Sequence, residues 1–143
     1  MKKLNGLKAT TDALWAGIIR KMDFNLLKHE IFFDVEVIEN GVSSKHSVIF
    51  EDVASYFYSN NIEDKRLEIY IPDEEDYLEM TSIHYLEGGI GQIGIQSNSE
   101  PWAKQWHSSA NFIIEIWSAH LFIEARTVII DGEIFNVGFP GIR

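Results

Sequence analysis

The feature that most constrains the fold is an alternation of apolar and polar residues that reverses at Asn40-Gly41. Asn-Gly is the pair best suited to a type I′ turn, in which both central residues have positive φ angles. A two-residue loop at this pair would place Glu36 opposite Lys45, and opposite charges that face each other support this register. The sequence therefore predicts a β-hairpin from Ile31 to Phe50, whose second strand continues or bends near residues 51–52 and resumes over 53–58.

A second hairpin is predicted from Phe112 to Ile130. If its turn is Ser118-Ala119, one face carries only apolar side chains and should belong to the core. These are Phe112, Ile114, Ile116, Leu121, Ile123 and Ala125. Ser-Ala lacks residues that favour positive φ, so the turn is less well specified than at Asn40-Gly41. Asp131-Gly132 does have this chemistry and predicts a further tight turn, after which the chain returns through Ile134 and Phe135.

The segments between these hairpins predict further strands and little helix. Strands are expected over Arg66–Ile71, Tyr77–Leu86 and Ile90–Gln96, with a turn at Gly88-Gly89. One short helix or turn is expected to begin at Ser99-Glu100-Pro101 and to end by Ser108, because Ser caps helices and Pro suits their first turn.

The N-terminal segment allows two interpretations. Asp12 could cap a helix with Leu14, Trp15, Ile18, Ile19 and Met22 on one face, although Gly17 weakens that pattern. We expect instead a helical turn at the start, followed by a strand into Phe24. The chain is therefore predicted to be one mainly β domain over residues 1–143. We expect an antiparallel sheet or sandwich of about eight or nine short strands with one or two short helices.

Composition and charge narrow the classes of function. The chain has 22 acidic residues against 12 Lys and Arg, which gives a formal net charge of −10. Nucleic acid and anionic membranes are poor partners for such a surface, whereas a basic protein would be attracted to it. No residue is a cysteine, which excludes disulfides and fits a cytoplasmic location. The segment after Lys2-Lys3 is not apolar enough for a signal peptide.

No motif with a recognisable chemistry stands out. Gly89-Ile90-Gly91-Gln92-Ile93-Gly94 matches the G-x-G-x-x-G string, but a nucleotide-binding loop needs a helix after it, and an alternating strand pattern follows here. The histidines lack metal-binding spacings, and no Ser, His and Asp lie in a recognisable frame. A pair of carboxylates defined only by spatial separation could still occur. We therefore predict no enzyme activity, no catalytic residues, no metal site and no cofactor.

The second face of the late hairpin is the first candidate for partner binding. It interleaves aromatic rings with carboxylates in the set Glu115, Trp117, His120, Phe122 and Glu124, together with Ile113. Rings can anchor a partner while charges attract it. The alternative is that a helix or a second sheet covers this face. Trp102 and Trp106 allow the same two interpretations, and their spacing on a helix is more typical of core residues.

An acidic run is the second candidate. Asp73, Glu74, Glu75 and Asp76 lack the spacing and central glycine of a calcium loop. A solvated loop is the default interpretation, and a charged part of a binding surface is the alternative.

The order of features resembles the YxiG-like family of small, uncharacterised proteins from Gram-positive bacteria. The matching stretches are 14–19 (LWAGII), 23–25 (DFN), His29 leading into the strand at Phe33, 48–50 (VIF), 53–58 (VASYFY), 108–112 (SSANF) and 129–133 (IIDGE). These motifs are structural rather than catalytic. The resemblance implies kinship with small β-rich proteins found near polymorphic toxin genes, which often serve as immunity factors.

Three functional hypotheses follow, and the third of them is an enzyme with an unrecognised carboxylate or histidine site. The first is a cytoplasmic immunity protein that binds a basic toxin domain and blocks its site. The second is a small-ligand-binding or regulatory β module with an aromatic cavity, motivated by the abundance of Trp and Tyr.

Overall fold

The strands of the protein pair into a closed ring, as a computed structural model that describes residues 6–141 shows. In chain order, the elements are a short helix α1 (Leu7–Asp12) and the strands β1 (Gly17–Asn25), β2 (Glu30–Glu39), β3 (Val42–Ser59), β4 (Leu78–Tyr85), β5 (Ile93–Gly94), β6 (His107–Ser108), β7 (Phe112–Ile116), β8 (Ala119–Ile130) and β9 (Glu133–Asn136). Two 3-10 helices, Glu63–Leu67 and Pro101–Gln105, lie in the connections. The prediction of a mainly β, antiparallel fold is confirmed.

Six strands form the ring through antiparallel pairings. The order is β3-β2-β1-β4-β7-β8, and β8 pairs in turn with β3, which closes the circuit. The strand β9 extends the pairing of β8 beyond the end of β7, and β5 and β6 form a separate two-stranded sheet. Closure is possible because β3 and β8 are long: β3 pairs with β2 over its first half and with β8 over its second half.

The predicted turns with positive φ are confirmed. Asn40 and Gly41 have φ angles of 51° and 78°, and Glu36 lies opposite Lys45 in the resulting register. Asp131 and Gly132 have φ angles of 52° and 84° and connect β8 to β9. These pairs therefore fix two of the tight connections of the sheet.

The late hairpin has the predicted faces but a different turn. The loop is Trp117-Ser118 rather than Ser118-Ala119, because Trp117 takes the positive φ of 53° and Ile116 pairs with Ala119. This difference shifts the register by two residues, and side chains alternate with a period of two, so every residue keeps its face. The apolar face predicted for the core is buried inside the ring.

The core is filled by inward side chains from all six ring strands, including Phe33, Phe50 and Phe112. Phe50 contacts both of the other rings edge-on, with centroids 6.2 Å from Phe33 and 5.0 Å from Phe112. The strand β3 continues through residues 51–52, where Asp52 has a φ of 53°, and its register against β8 shifts at a β-bulge between Val53 and Ser55. Over residues 48–50 the strand β3 pairs with both β2 and β8, and after Phe50 the pairing with β8 continues without β2.

Two of the predicted strands are wrong. Residues 66–71 begin in a 3-10 helix and continue without a ladder; the Asn60 side chain instead donates to the carbonyl oxygens of Arg66 and Glu68, both at 3.2 Å. Of residues 90–96 only Ile93–Gly94 forms a strand, since the positive φ of Gly91 interrupts the extended chain. The strand predicted over 77–86 is confirmed as β4.

The short helical elements lie where they were expected, before β1 and after Ser99. Asp12 ends α1 rather than capping a helix, and the strand into Phe24 is confirmed as β1. The element after Ser99 is a single 3-10 turn without a side-chain cap, and Trp102 and Trp106 are both exposed rather than core residues. No helix within residues 6–141 has the length and apolar character needed to cross a membrane.

Candidate partner-binding surface

The outer face of the β7–β8 hairpin is open to solvent. Glu115, His120, Phe122 and Glu124 are half-buried, and Trp117 is 49% exposed. Of the two interpretations of this face, complete coverage by another layer is therefore wrong, although β6 reaches it through Ser108. Its side chains are held on the outside because their neighbours in each strand fill the ring.

An aromatic row crosses this face from β8 to β3. Phe57 lies opposite Phe122, and their rings stack with centroids 4.7 Å apart and planes 19° from parallel. The His120 ring also stacks with Phe122, with centroids 6.1 Å apart. Sequence reasoning missed Phe57, because the pairing of β3 with β8 has no local signal in the chain.

Glu115 is the charged centre of the same face. Its carboxylate accepts a hydrogen bond from Ser82 Oγ and lies 3.1 Å from Nε2 of His84 and 3.7 Å from Nε2 of His120. The hydrogen bond from Ser82, followed by that from His84, lowers the pKa of Glu115 below its ordinary value. This site therefore keeps a negative charge well into mildly acidic conditions.

Glu124 lies further along β8. Its Oε1 accepts a hydrogen bond from Ser55 Oγ at 2.9 Å, and Ser55 also contacts Ser108 Oγ at 2.6 Å. These bonds hold the carboxylate against β3 and β6.

Trp117 forms the corner of this surface at the β7–β8 turn. Its indole Nε1 donates to the carbonyl oxygen of Tyr77 at 2.8 Å, and the two rings lie 5.5 Å apart. The hydrogen bond fixes an exposed ring that would otherwise be free to rotate. An exposed but immobilised tryptophan is well suited to anchor a partner, since little entropy is lost on contact.

The structure brings the acidic run next to this corner. Asp73 through Asp76 are all exposed in the connection before β4. Asp76 Oδ2 accepts hydrogen bonds from the backbone N–H of Asp73 at 2.6 Å and from the Tyr70 hydroxyl at 2.9 Å, and the latter bond raises the pKa of Tyr70. Two candidates that are distant in sequence, Trp117 and Asp76, therefore belong to one surface.

A cleft of about 660 Å³ lies where these elements meet. We call it the aromatic cleft and define it by Tyr58, Tyr70, Asp76, Tyr77 and Trp117, which line it together with Ile69, Pro72 and Leu78. The three tyrosines were missed by sequence reasoning, because they come from separate segments that only the fold brings together. Glu74 and Glu75 are not among the residues that line the cleft.

The connection beside the cleft exposes much apolar surface. Side chains that are large, apolar and exposed recur through residues 62–78, namely Ile62, Leu67, Ile69, Tyr70, Ile71, Tyr77 and Leu78. The same stretch carries seven acidic and two basic residues. Its net charge of −5 is half of the −10 of the whole chain. Clustered exposed apolar side chains of this kind are typical of interaction sites.

A second polar cluster links the two confirmed tight turns. Ser44 Oγ lies 2.9 Å from His46 Nε2, and His46 Nδ1 lies 2.7 Å from Asp131 Oδ2, in the order of a hydrolase triad. The fold thus aligns a Ser, a His and an Asp that showed no frame in the sequence. The Ser-x-His contact recurs at Ser82 and His84, because residues two apart share a strand face.

The geometry of this cluster also has a structural explanation. Asp131 Oδ1 accepts a hydrogen bond from the Ser47 N–H at 2.9 Å, which ties the β8–β9 turn to β3. Hydrolysis also needs an oxyanion hole and a substrate pocket. Ser44 lies near the N-terminal end of β3, whereas Tyr58 and the aromatic cleft lie at its C-terminal end. Within the described residues, no group of three or more His, Asp or Glu could hold a metal ion.

The fold and this surface define the chain as a small antiparallel β protein with an exposed aromatic and acidic face. The family model described as YxiG-like protein matches residues 7–135, and the chain therefore belongs to the YxiG-like family, as its motifs indicated. It is similar to a protein of Bacillus subtilis (strain 168) described as uncharacterized protein YxiG. The two are 35% identical over 114 residues, which cover 80% of this chain and 78% of that protein.

Proposed function

We propose that this protein is a non-enzymatic protein-binding domain, a cytoplasmic immunity protein that neutralises a cognate bacterial toxin by binding a basic surface of it. The observation that carries the proposal is the coincidence of exposed aromatic side chains and acidic groups on one side of the molecule. The resemblance to small β-rich proteins near toxin genes supports the same function.

The carboxylates and the aromatic rings of this surface would contribute to binding in different ways. Carboxylates such as Glu115 and Asp76 attract a basic partner and increase the rate of encounter. Trp117, Phe122 and the stacked Phe57 offer rigid apolar surface, which supplies most of the binding energy in protein interfaces. A toxin whose active site binds an anionic substrate would present such a basic surface.

The test is affinity purification of the tagged protein from its native cells, followed by mass spectrometry and by an assay of protection against the toxin. We expect a basic protein in stoichiometric amount, and we expect the Trp117→Ala/Phe122→Ala double variant to lose both the partner and the protection. The matched control is Trp102→Ala/Trp106→Ala, which removes two tryptophans that are exposed elsewhere. A partner that binds the wild type and both double variants alike, or fails to bind the wild type, contradicts the proposal.

The aromatic cleft favours a second candidate, a small-ligand-binding module. Its volume of about 660 Å³ lies within the range of small-molecule sites, and its rings suit a flat ligand. Tryptophan fluorescence of the wild type and of Trp117→Phe, screened against a metabolite set, tests this function. A saturable change that is absent from Trp117→Phe supports it, whereas no saturable change across the set counts against it.

A further inference from the structure

The aromatic cleft combines ring faces with one carboxylate. Tyr58, Tyr70, Tyr77 and Trp117 line it, and Asp76 is the only ionised group among its lining residues. Aromatic faces carry negative electrostatic potential and attract cations, and a carboxylate among them adds a full charge. The cleft is therefore suited to a group that is both cationic and flat.

The carboxylate is held in place before any ligand arrives. Asp76 Oδ2 accepts two hydrogen bonds, from the Asp73 N–H and from the Tyr70 hydroxyl, and these bonds orient the whole group. The Trp117 ring is in turn fixed by the bond from its indole to the Tyr77 carbonyl oxygen, and the Tyr77 ring lies beside it with centroids 5.5 Å apart. A preorganised site loses less conformational entropy on binding, so weak individual contacts can add up to measurable affinity.

The surrounding charge excludes other occupants. Residues 62–78 contribute half of the net charge of −10, so an anionic ligand would be repelled. A second copy of this chain would bring an equal negative charge against the same face. Among cations, guanidinium is planar, stacks on aromatic rings and donates several hydrogen bonds to a carboxylate, whereas ammonium is a compact and strongly hydrated point charge.

We infer that the aromatic cleft binds the guanidinium group of an arginine side chain presented by the protein partner, stacked on the rings and hydrogen-bonded to Asp76. This inference rests on the proposed function and names the residue type that the surface recognises. The arginine would act as the anchor of the interface, since arginine is enriched among residues that dominate binding energy.

The experiment is a nuclear magnetic resonance titration of the ¹⁵N-labelled protein with acetyl-Gly-Arg-Gly-amide. The neutral isostere acetyl-Gly-citrulline-Gly-amide is the matched ligand control. We expect saturable shifts of the Trp117 indole N–H and of the Tyr77 amide with arginine, and affinity weaker by roughly tenfold with citrulline or in Asp76→Asn. Equal shifts with both peptides, or shifts confined to other parts of the surface, overturn the inference.

A second variant separates recognition by the cleft from general attraction. Glu74→Gln removes the same charge from the same acidic run but from a residue outside the lining, so it should retain most of the affinity. If Asp76→Asn and Glu74→Gln weaken binding equally, long-range charge explains the result and the inference is overturned.

Failure of this inference can be distinguished from failure of the proposed function. If the arginine peptide binds saturably but no partner is recovered, the immunity proposal is contradicted and the cleft remains a guanidinium-binding site. Recovery of a partner that binds Asp76→Asn as tightly as the wild type would support the proposed function and overturn the inference that the cleft binds an arginine of the partner.

Discussion

The backbone of β1 passes so close to β2 at Gly17 that no larger residue fits. A Cβ atom at this position would lie 2.4 Å from Val35 Cγ1 and 3.0 Å from the Leu14 carbonyl oxygen. Val35 is buried and β-branched, so it has little room to move away.

Gly17→Ala should therefore lower the free energy of unfolding by about 1–3 kcal/mol, the usual cost of overpacking a core. Urea denaturation followed by circular dichroism measures this change. Gly94→Ala is the control, because a Cβ there meets nothing within 4 Å, and it should change stability by no more than about 0.5 kcal/mol. Equal midpoints for the two variants would show that the contact at Gly17 relaxes without cost.

Glu115 makes stability depend on pH. Its pKa in the folded protein is lowered from 4.5, chiefly by the hydrogen bond from Ser82 and then by that from His84. Because the folded state favours the charged form, the stabilisation is complete above the unfolded pKa and disappears as the pH falls through the folded pKa.

Ser82→Ala should raise the pKa of Glu115 towards its ordinary value and so reduce the loss of stability below about pH 4.5. Nuclear magnetic resonance titration of the Glu115 carboxyl carbon reports this pKa directly. Thr81→Ala is the control, because it removes a hydroxyl that bonds the neighbouring Glu79 and should leave the Glu115 titration unchanged. An unchanged titration in Ser82→Ala would contradict the prediction.

At the scale of elements, Asn111, the residue before β7, connects β8 to the segment after β9 where the ladder is interrupted. Along one side of β8, residues 119–123 pair with β7 and residues 127–130 pair with β9. The buried Asn111 amide fills the gap between them. Its Oδ1 accepts from the Ala125 N–H at 3.0 Å, and its Nδ2 donates to the carbonyl oxygens of Ala125 at 2.9 Å and Gly138 at 3.2 Å.

Asn111→Ala should destabilise the protein by about 2–4 kcal/mol, because it leaves buried backbone groups of Ala125 without partners. Thermal and urea unfolding measure the change. Asn25→Ala removes an asparagine that bonds only an exposed backbone N–H, that of Lys28, and should cost about 1 kcal/mol or less. Similar costs for the two variants would mean that water replaces the Asn111 amide.

Local chemistry explains which elements the sequence predicts. Asn40-Gly41 and Asp131-Gly132 define their turns because few residue pairs tolerate two positive φ angles. The faces of β7 and β8 are predictable even with the turn misplaced, because a register shift of two preserves alternation. Residues 66–71 have a strand-like composition but no neighbouring strand, and propensity without a partner does not make a sheet.

The closure of the ring and much of the binding surface depend on the whole molecule. The pairing of Phe57 with Phe122 and the meeting of Tyr58 with Trp117 join segments that are far apart in the chain. Alternation assigns the face of a residue but not the partner of its strand. For this reason Trp117 and the acidic run are predictable individually as candidates, whereas the aromatic cleft that they share is not.

The Ser44, His46 and Asp131 cluster gives a prediction about the molecule's activity as a whole. Since we propose a binding function, the purified protein should hydrolyse p-nitrophenyl acetate no faster than Ser44→Ala does. A spectrophotometric assay at neutral pH measures both rates, and labelling with a fluorophosphonate probe checks for a reactive serine. Hydrolysis or labelling that is lost in Ser44→Ala would contradict the non-enzymatic proposal and identify the cluster as a catalytic site.

The closed ring has a consequence for how the protein is made. Val48 pairs with Ile130, so the ring cannot close until β8 has left the ribosome. Until then, the second half of β3 is an open strand edge in the growing chain, and such edges can capture other polypeptides. Folding dominated by such distant pairings is slow. The stacked pair of Phe57 and Phe122 therefore forms only when the ring closes, and a chain that lacks β8 has no such surface to offer a partner.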